Sequence, residues 1–279
     1  MDTIEEKQTR LKECLRGLGS VAVAFSGGVD STFLLKTARD VLRDKVIAVT
    51  GRSLSFPRRE LRAACDVAAS LGIEHFLVDS EELSVEGFAD NPPHRCYLCK
   101  NELFSKIKKL AAEQGIAHVV DASNADDEGD FRPGLLAVRE HGIVSPLRLV
   151  RMGKEEIRLL AKKAGLAVWN KPSFACLASR FPYGERIDPQ RLRRIDEAEQ
   201  FLMDLDFRQV RVRFHEHGAL ARIEVDAAEF GRLADGDLRL RINRRFRELG
   251  FAYTSVDLLG YRTGSMNETL SPEPLNPPA

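Results

Sequence analysis

Ala24-Phe25-Ser26-Gly27-Gly28-Val29-Asp30-Ser31-Thr32 decides how this chain is read. A short apolar run, Val21 to Phe25, leads into it and has the character of a strand buried on both faces. Phe33 to Leu42 follows with helical spacing. Two glycines at such a turn let the backbone approach an anion closely, and Ser26 and Ser31 add hydroxyl donors. The helix start beyond them supplies N–H groups and the positive end of a dipole. The stretch therefore reads as a phosphate cradle at a strand-to-helix turn. It is not the nucleotide loop that ends in Gly-Lys-Ser/Thr, because no Lys follows the glycines. A glycine pair after a strand says little by itself and could be an ordinary corner; the full Ser-Gly-Gly-Val-Asp-Ser string is far more specific.

Working outward, strand-like runs recur at Val46–Thr50, His75–Val78 and His118–Asp121. Helical patterns lie between them at Arg58–Leu71 and Cys99–Gln114, with an amphipathic helix ahead of them over residues 3–18. Strands alternating with helices predict an α/β fold, a doubly wound parallel sheet with helices on both faces. Ligands of such sheets bind at the carboxyl ends of the strands, where Ser26, the segment after Thr50 and the segment after Asp121 all fall. Glu155–Ala164 reads as a further helix, with Gly165 as its stop.

The rhythm changes near residue 180. A helix at Gln190–Asp204, strands at Val210–Phe214 and Ala221–Val225, a helix at Leu240–Leu249 and a strand at Tyr253–Leu258 predict a smaller α+β second domain. The expected division is 1–180 and 181–270, with a linker near Phe181-Pro182-Tyr183-Gly184 and a disordered, proline-bearing tail at 271–279.

Composition narrows the function. The 279 residues carry 42 Lys plus Arg against 42 Asp plus Glu, so the formal net charge is zero. A protein that coats nucleic acid draws its affinity from phosphate neutralisation and would be basic. No apolar run approaches a membrane span. Met1 to Glu13 is charged rather than signal-like, and five cysteines fit a reducing cytosol better than a disulfide framework, so a cytoplasmic protein is expected.

Three further constellations carry chemistry. Val120-Asp121-Ala122-Ser123-Asn124-Ala125-Asp126-Asp127-Glu128-Gly129-Asp130 starts at a strand end and is dense in carboxylates and amides, the ligand type that Mg²⁺ prefers. A solvated acidic loop is the plain alternative. In Lys171-Pro172-Ser173-Phe174-Ala175-Cys176-Leu177-Ala178-Ser179-Arg180 a lone cysteine lies between two cations of the kind that stabilise a thiolate, although a buried structural cysteine is the commoner case. In Arg95-Cys96-Tyr97-Leu98-Cys99-Lys100 a Cys-x-x-Cys pair sits at a helix start. It could be a redox pair, half a zinc site, or, pooled with Cys176, the ligand set of a 4Fe–4S cluster with one iron left open.

The loop resembles that of the ATP pyrophosphatases, the PP-loop enzymes that split ATP between the α and β phosphates. Over nearly the whole length the chain resembles the ATP-dependent sulfur transferases of nickel-pincer-nucleotide synthesis, the LarE family that serves lactate racemase. The resemblance rests on Ser26 to Ser31, Asp121 to Asp127, Arg132-Pro133-Gly134, Cys176 to Gly184 and Gly260-Tyr261-Arg262-Thr263-Gly264-Ser265-Met266-Asn267. It implies an adenine-nucleotide alpha hydrolase-like sheet in the first domain and a second domain that contributes substrate and oligomer contacts. It implies adenylation of the carboxylates of pyridinium biscarboxylic acid mononucleotide and their conversion to thiocarboxylates.

On that resemblance Ser26, Gly27, Gly28, Asp30, Ser31, Asn124 and Asp126 would bind ATP, with Asp126 and Glu128 as candidate Mg²⁺ ligands. Cys176, Ser179, Arg180 and Glu199 would be catalytic. Arg211 and Arg213, which alternate on a strand and so share a face, would hold the substrate's phosphate. Two branches differ in their sulfur: Cys176 gives up its own and ends as dehydroalanine, or Cys96, Cys99 and Cys176 hold a 4Fe–4S cluster that delivers a bound sulfide. The pair at Cys96 and Cys99 favours the cluster branch. A homo-oligomer, handover to other cofactor-synthesis enzymes and a small nucleotide substrate, rather than nucleic acid or membrane, are the expected partners. Rival readings are a tRNA-thiolating enzyme with the same loop, an ammonia-using amide ligase, and a non-catalytic ATP-binding or iron–sulfur scaffold protein.

Overall fold

The run Val21-Ala22-Val23 is fully buried, and its alternate side chains enter two different cores. That is what a central strand between two helical layers requires. The computed structural model describes residues 2–127 and 133–268. In chain order the elements are α1 (Ile4–Leu18), β1 (Val21–Ala24), α2 (Val29–Leu42), β2 (Val46–Arg52), α3 (Arg58–Ser70), β3 (Glu74–Asp79), α4 (Arg95–Glu113), β4 (His118–Val120), α5 (Gly134–Glu140), α6 (Pro146–Leu149), α7 (Lys154–Lys163), α8 (Pro189–Asp204), β5 (Val210–His215), β6 (Leu220–Val225), α9 (Gly236–Glu248) and β7 (Tyr253–Val256). Glu128, Gly129, Asp130 and Arg132, named above, and the tail 271–279 lie outside the described residues.

The chain divides into two compact units, Met1–Val85 with His94–Phe174 and Glu86–Pro93 with Ala175–Ala279. In the first, four strands form an all-parallel sheet in the order β3-β2-β1-β4. Val21, Val23, Val46 and Ala48 face a core built with α1, α2, α3 and α7, while Ala22, Ile47 and Val49 face one built with α4 and α5. The doubly wound α/β sheet read from the sequence is therefore the fold. The order reverses direction between β1 and β4, and the crevice at such a switch point is where open α/β sheets bind ligands.

Local signals explain the edges of the elements. Thr3 and Glu6 form a reciprocal cap on α1, with Glu6 N donating to Thr3 Oγ1 at 3.2 Å and Thr3 N to Glu6 Oε2 at 2.7 Å. Leu11 and Leu15 of that helix are wholly buried; truncating either to Ala costs about 2–5 kcal/mol. Short α5 and α6 have too few turns to show a period and are absent from the sequence reading.

The second unit holds the antiparallel pair β5-β6 and β7 parallel to β6. Its order α8-β5-β6-α9-β7 is the helix–strand–strand–helix–strand pattern of the sequence. An excursion from the first half of the chain, residues 86–93, belongs to this unit. Asn91 Nδ2 donates to the carbonyls of Phe181 (3.3 Å) and Pro182 (2.6 Å), and Gly184 N donates to Asn91 O (3.0 Å). The stretch Phe181 to Gly184 thus lies bonded inside the second unit.

Candidate active site

The phosphate cradle is built by β1, which delivers the chain to Ser26, and by α2, which begins at Val29. Thr50 fixes the delivery: its hydroxyl donates to Phe25 O at 2.7 Å and accepts from His75 Nε2 at 2.8 Å. With Thr50's proton committed to the carbonyl, His75 must carry hydrogen on Nε2. Burial pushes the His75 pKa below the usual histidine value. Gly27 adopts φ +67, and a Cβ there would lie 2.9 Å from Ala64 Cα on α3. Only glycine satisfies both the left-handed backbone and the close helix.

Gly28 precedes α2 without any side-chain cap, the arrangement that a helix start shows where it can receive an anion. The Ser26 and Ser31 hydroxyls stand 3.1 Å apart beside that helix end, with Ser31 Oγ 3.2 Å from Gly28 O. Asp30 lies in the same first turn. Burial lifts its carboxyl above the usual carboxylate range, although Lys154 beside it pulls the other way. One carboxylate oxygen, Asp30 Oδ2, takes the Lys154 ammonium; the other, Oδ1, is buried with no hydrogen-bond partner among the described residues.

Across the switch point, the acidic stretch after β4 folds on itself. Asp121 accepts from Ser123 Oγ (2.6 Å) and Ser145 Oγ (2.5 Å). Asn124 accepts from Asp126 N (2.9 Å), and its own N–H donates to Asp127 Oδ2 (2.9 Å). Asp126 Oδ2 accepts from Lys154 N at 2.8 Å, at the start of α7. Asn124 and Asp126 therefore shape the loop and cap a helix.

The residues that sequence reasoning passed over are on α7. Lys154, Arg158 and Lys162 recur every fourth residue and form one stripe. Lys154 binds Asp30; Arg158 donates to the carbonyls of Trp169 and Lys171, each at 2.9 Å; Lys162 lies 4.5 Å from the Trp169 ring centre. Lys171, held this way, sends its ammonium to Glu60 (2.7 Å) and to Gly27 O (3.2 Å). Both ends of the cradle are thus gripped by lysines. The signal was present as basic four-residue spacing directly after a loop at the sheet's carboxyl edge.

In the second unit, Cys176 begins a single 3-10 turn, Leu177–Arg180. Its carbonyl accepts from Ser179 N (3.0 Å), Ser179 Oγ (2.8 Å) and Arg180 Nη1 (3.0 Å), which fixes the backbone that carries the thiol. Arg180 and Glu199, both 0% exposed, pair through two hydrogen bonds of 2.8 and 3.0 Å. Burial works against the Arg180 charge, but the surrounding groups, Glu199 first among them, together hold the guanidinium's pKa above its usual value. Glu199 Oε1 also accepts from Val212 N at 3.0 Å, which ties α8 to β5. The cations flanking Cys176 in sequence are thus engaged, Lys171 with Glu60 and Arg180 with Glu199.

Arg211 and Arg213 share a face of β5, as their alternation predicts, and both are buried. Arg213 is matched by Glu224 through bonds of 2.9 and 2.7 Å. Burial, with the like charge of Arg180, pushes the Arg211 pKa down to about 10.

Cys96, exposed, and Cys99, half-buried, lie one turn apart at the start of α4. Among the described residues no group of three or more His, Cys, Asp or Glu side chains is placed to hold a metal ion. Among the same residues no helix is long and apolar enough to cross a membrane.

Comparison with known proteins agrees with this geometry. Residues 8–101, which contain the cradle, match the asparagine synthase family. The chain is 40% identical to pyridinium-3,5-bisthiocarboxylic acid mononucleotide synthase of Lactiplantibacillus plantarum, over 97% of each chain. It is 38% identical to an uncharacterized protein of Synechocystis sp. over 96% of this chain and 99% of the other. To the tRNA-specific 2-thiouridylase of Rickettsia felis it is 29% identical over 55% of this chain and 52% of the other. The cradle, the sheet and the near full-length match lead to one assignment: the chain belongs to the family of pyridinium-3,5-bisthiocarboxylic acid mononucleotide synthase, the LarE-type ATP-dependent sulfur transferases.

Proposed function

We propose that this protein activates the carboxylates of pyridinium biscarboxylic acid mononucleotide with ATP and replaces an oxygen of each with sulfur. The observation that carries the reading is the cradle at the β1/β4 switch point, with an uncapped α2 start, two hydroxyls 3.1 Å apart and a lysine on Asp30. A carboxylate is a poor electrophile because its oxygen leaves badly. Attack of the carboxylate on the α-phosphorus gives an acyl adenylate and pyrophosphate, and AMP then becomes the leaving group. The α2 N–H groups, Ser26, Ser31 and Lys154 stabilise the charge on the departing pyrophosphate.

Asp30 Oδ1 fits a magnesium ion brought in with the nucleotide, since such ions take one or two carboxylates and complete their shell with phosphates and water. Bound there, the ion would neutralise phosphate charge. Of the two ligands expected from the sequence, Asp126 accepts the Lys154 N–H at the start of α7 and Glu128 lies outside the described residues.

In the second unit Arg211 and Arg213 hold the substrate's phosphate. Arg180 and Glu199 hold the turn that presents Cys176. The Cys176 thiolate attacks the acyl adenylate, forming a thioester and releasing AMP. Loss of the cysteine's Cα proton then breaks its Cβ–S bond, giving dehydroalanine and the thiocarboxylate. The exposed Cys96 beside Cys99 supports the second reading, in which Cys96, Cys99 and Cys176 would hold a 4Fe–4S cluster that supplies the sulfur. The odd number of cysteines suits work in a reducing cytoplasm. Leu240, Tyr253, Leu258 and Leu259 are each exposed, and self-association or handover to a following enzyme would cover such side chains.

Turnover with ATP, Mg²⁺ and the biscarboxylate mononucleotide, followed by mass spectrometry of both product and protein, tests the proposal. Thiocarboxylate with loss of hydrogen sulfide at Cys176 supports it. Thiocarboxylate with an intact Cys176 and bound iron shifts the sulfur to the cluster, and no sulfur in the product overturns the proposal.

A further inference from the structure

Arg158 stands in the middle of the basic stripe on α7, and its hydrogen bonds go to neither loop of the cradle. Its Nη1 donates to Trp169 O and its Nη2 to Lys171 O, each at 2.9 Å. These carbonyls lie at the end of a single 3-10 turn, Ala167–Asn170, where oxygens run out of helical donors. The flat fork of an arginine reaches two carbonyls at once, whereas an ammonium is a point charge without that fixed geometry.

The fork fixes the point from which the Lys171 side chain starts. Lys171 leaves the turn in an extended conformation, with φ −60 and ψ 130. Its ammonium reaches Glu60 on α3 at 2.7 Å and Gly27 O at 3.2 Å. That oxygen belongs to the Gly27–Gly28 peptide. In a planar trans peptide the carbonyl and the following N–H point in opposite directions. A glycine pair can turn such a peptide over with little steric penalty, and a cation on the carbonyl selects one orientation. In that orientation the Gly28 N–H faces Ser26 Oγ, 3.4 Å away, on the side where the Ser26 and Ser31 hydroxyls meet. Arg158 also acts on the cradle through space. Burial raises the Asp30 carboxyl's pKa, and the Arg158 charge joins Lys154 in opposing that rise.

We propose that Arg158 is a positioning residue for the phosphate turn: it seats Lys171 so that the Lys171 ammonium locks the Gly27–Gly28 peptide with its N–H turned toward the incoming phosphates. The proposal rests on the reading of this turn as the ATP site.

A double-mutant cycle on the full chain tests it, read by equilibrium titration with ATP and Mg²⁺ and by KM for the mononucleotide. Arg158→Gln raises Kd for ATP about tenfold and leaves KM for the mononucleotide alone; Lys171→Met does the same, and the double variant is no worse than either single one, because both break one relay. Losses that multiply in the double variant, or that fall equally on both substrates, show a general loosening of the unit and overturn the inference. Unchanged ATP affinity in Arg158→Gln overturns it too. Arg158→Lys, which keeps the charge without the fork, stays close to Arg158→Gln; a return to wild-type affinity would assign the effect to charge alone. If Arg158→Gln does not fold, Arg158→Lys takes its place in the cycle. Ser31→Ala separates the two levels of the argument. ATP binding unchanged in Ser31→Ala refutes the reading of the turn itself, whereas loss in Ser31→Ala without loss in Arg158→Gln refutes this inference alone.

Discussion

Lys154 binds both loops at the switch point: its ammonium sits on the Asp30 carboxylate, and its backbone N–H donates to the Asp126 carboxylate at 2.8 Å. One residue thus sets the distance between the phosphate turn and the loop after β4. It places a positive charge next to the position a pyrophosphate would occupy. Lys154→Met is expected to slow AMP formation by about a hundredfold, the usual effect of losing one preorganised donor, while the melting temperature changes little. Release of AMP from ATP under single turnover is the check; a wild-type rate would remove Lys154 from the account.

Gly27 is constrained twice, by φ +67 and by Ala64 at 2.9 Å. Gly27→Ala must either move α3 or flatten the turn. The expected cost is about 1–3 kcal/mol of stability, with a large loss of ATP affinity. Gly28→Ala is the contrast, since the nearest atom to a Cβ there is Ser26 Oγ at 3.4 Å. Urea unfolding and nucleotide titration of both variants separate the two effects.

Glu199 is fully buried and bonded to Arg180 and to Val212 N. Glu199→Leu leaves a buried guanidinium and a buried amide without their acceptor, and about 3–5 kcal/mol of stability should go. Adding Arg180→Met should restore much of that stability but not the turn at Cys176, whose carbonyl Arg180 holds. Denaturant midpoints and sulfur transfer are then expected to part company in the double variant.

His75 gives a pH signature. Its pKa in the folded protein lies below the ordinary value because of burial, so the unfolded chain takes up the proton first. Its stabilising contribution is complete above the unfolded value of about 6.5 and is lost as pH falls through the folded value. Urea midpoints at neutral and mildly acidic pH should differ less in His75→Gln, whose amide can still donate to Thr50. An unchanged pH dependence would remove His75 from the explanation.

The sheet was legible because its signals are local. β1 is an unbroken apolar run, and Gly27-Gly28 marks the turn that follows. Boundaries shifted only at the ends: α2 starts at Val29 rather than Phe33, because its first turn is the cradle itself and carries Asp30 and Ser31 in place of apolar residues. What escaped was long-range. Nothing near Asn91 announces that residues 86–93 join a unit formed by residues 175 onward. Lys171 read as a neighbour of Cys176, yet its partners are Glu60 and Gly27, more than a hundred residues away. Glu199 lies on a helix whose sequence looks like an ordinary charged surface, and only folding reveals that Arg180 meets it there.

The central claim is that the turn at Ser26–Ser31 holds ATP for cleavage between its α and β phosphates. Supplying α-labelled and γ-labelled ATP with the mononucleotide substrate, and separating the products, tests it directly. The account predicts label in AMP and in pyrophosphate, lost together in Ser31→Ala; label in ADP and free phosphate would contradict it.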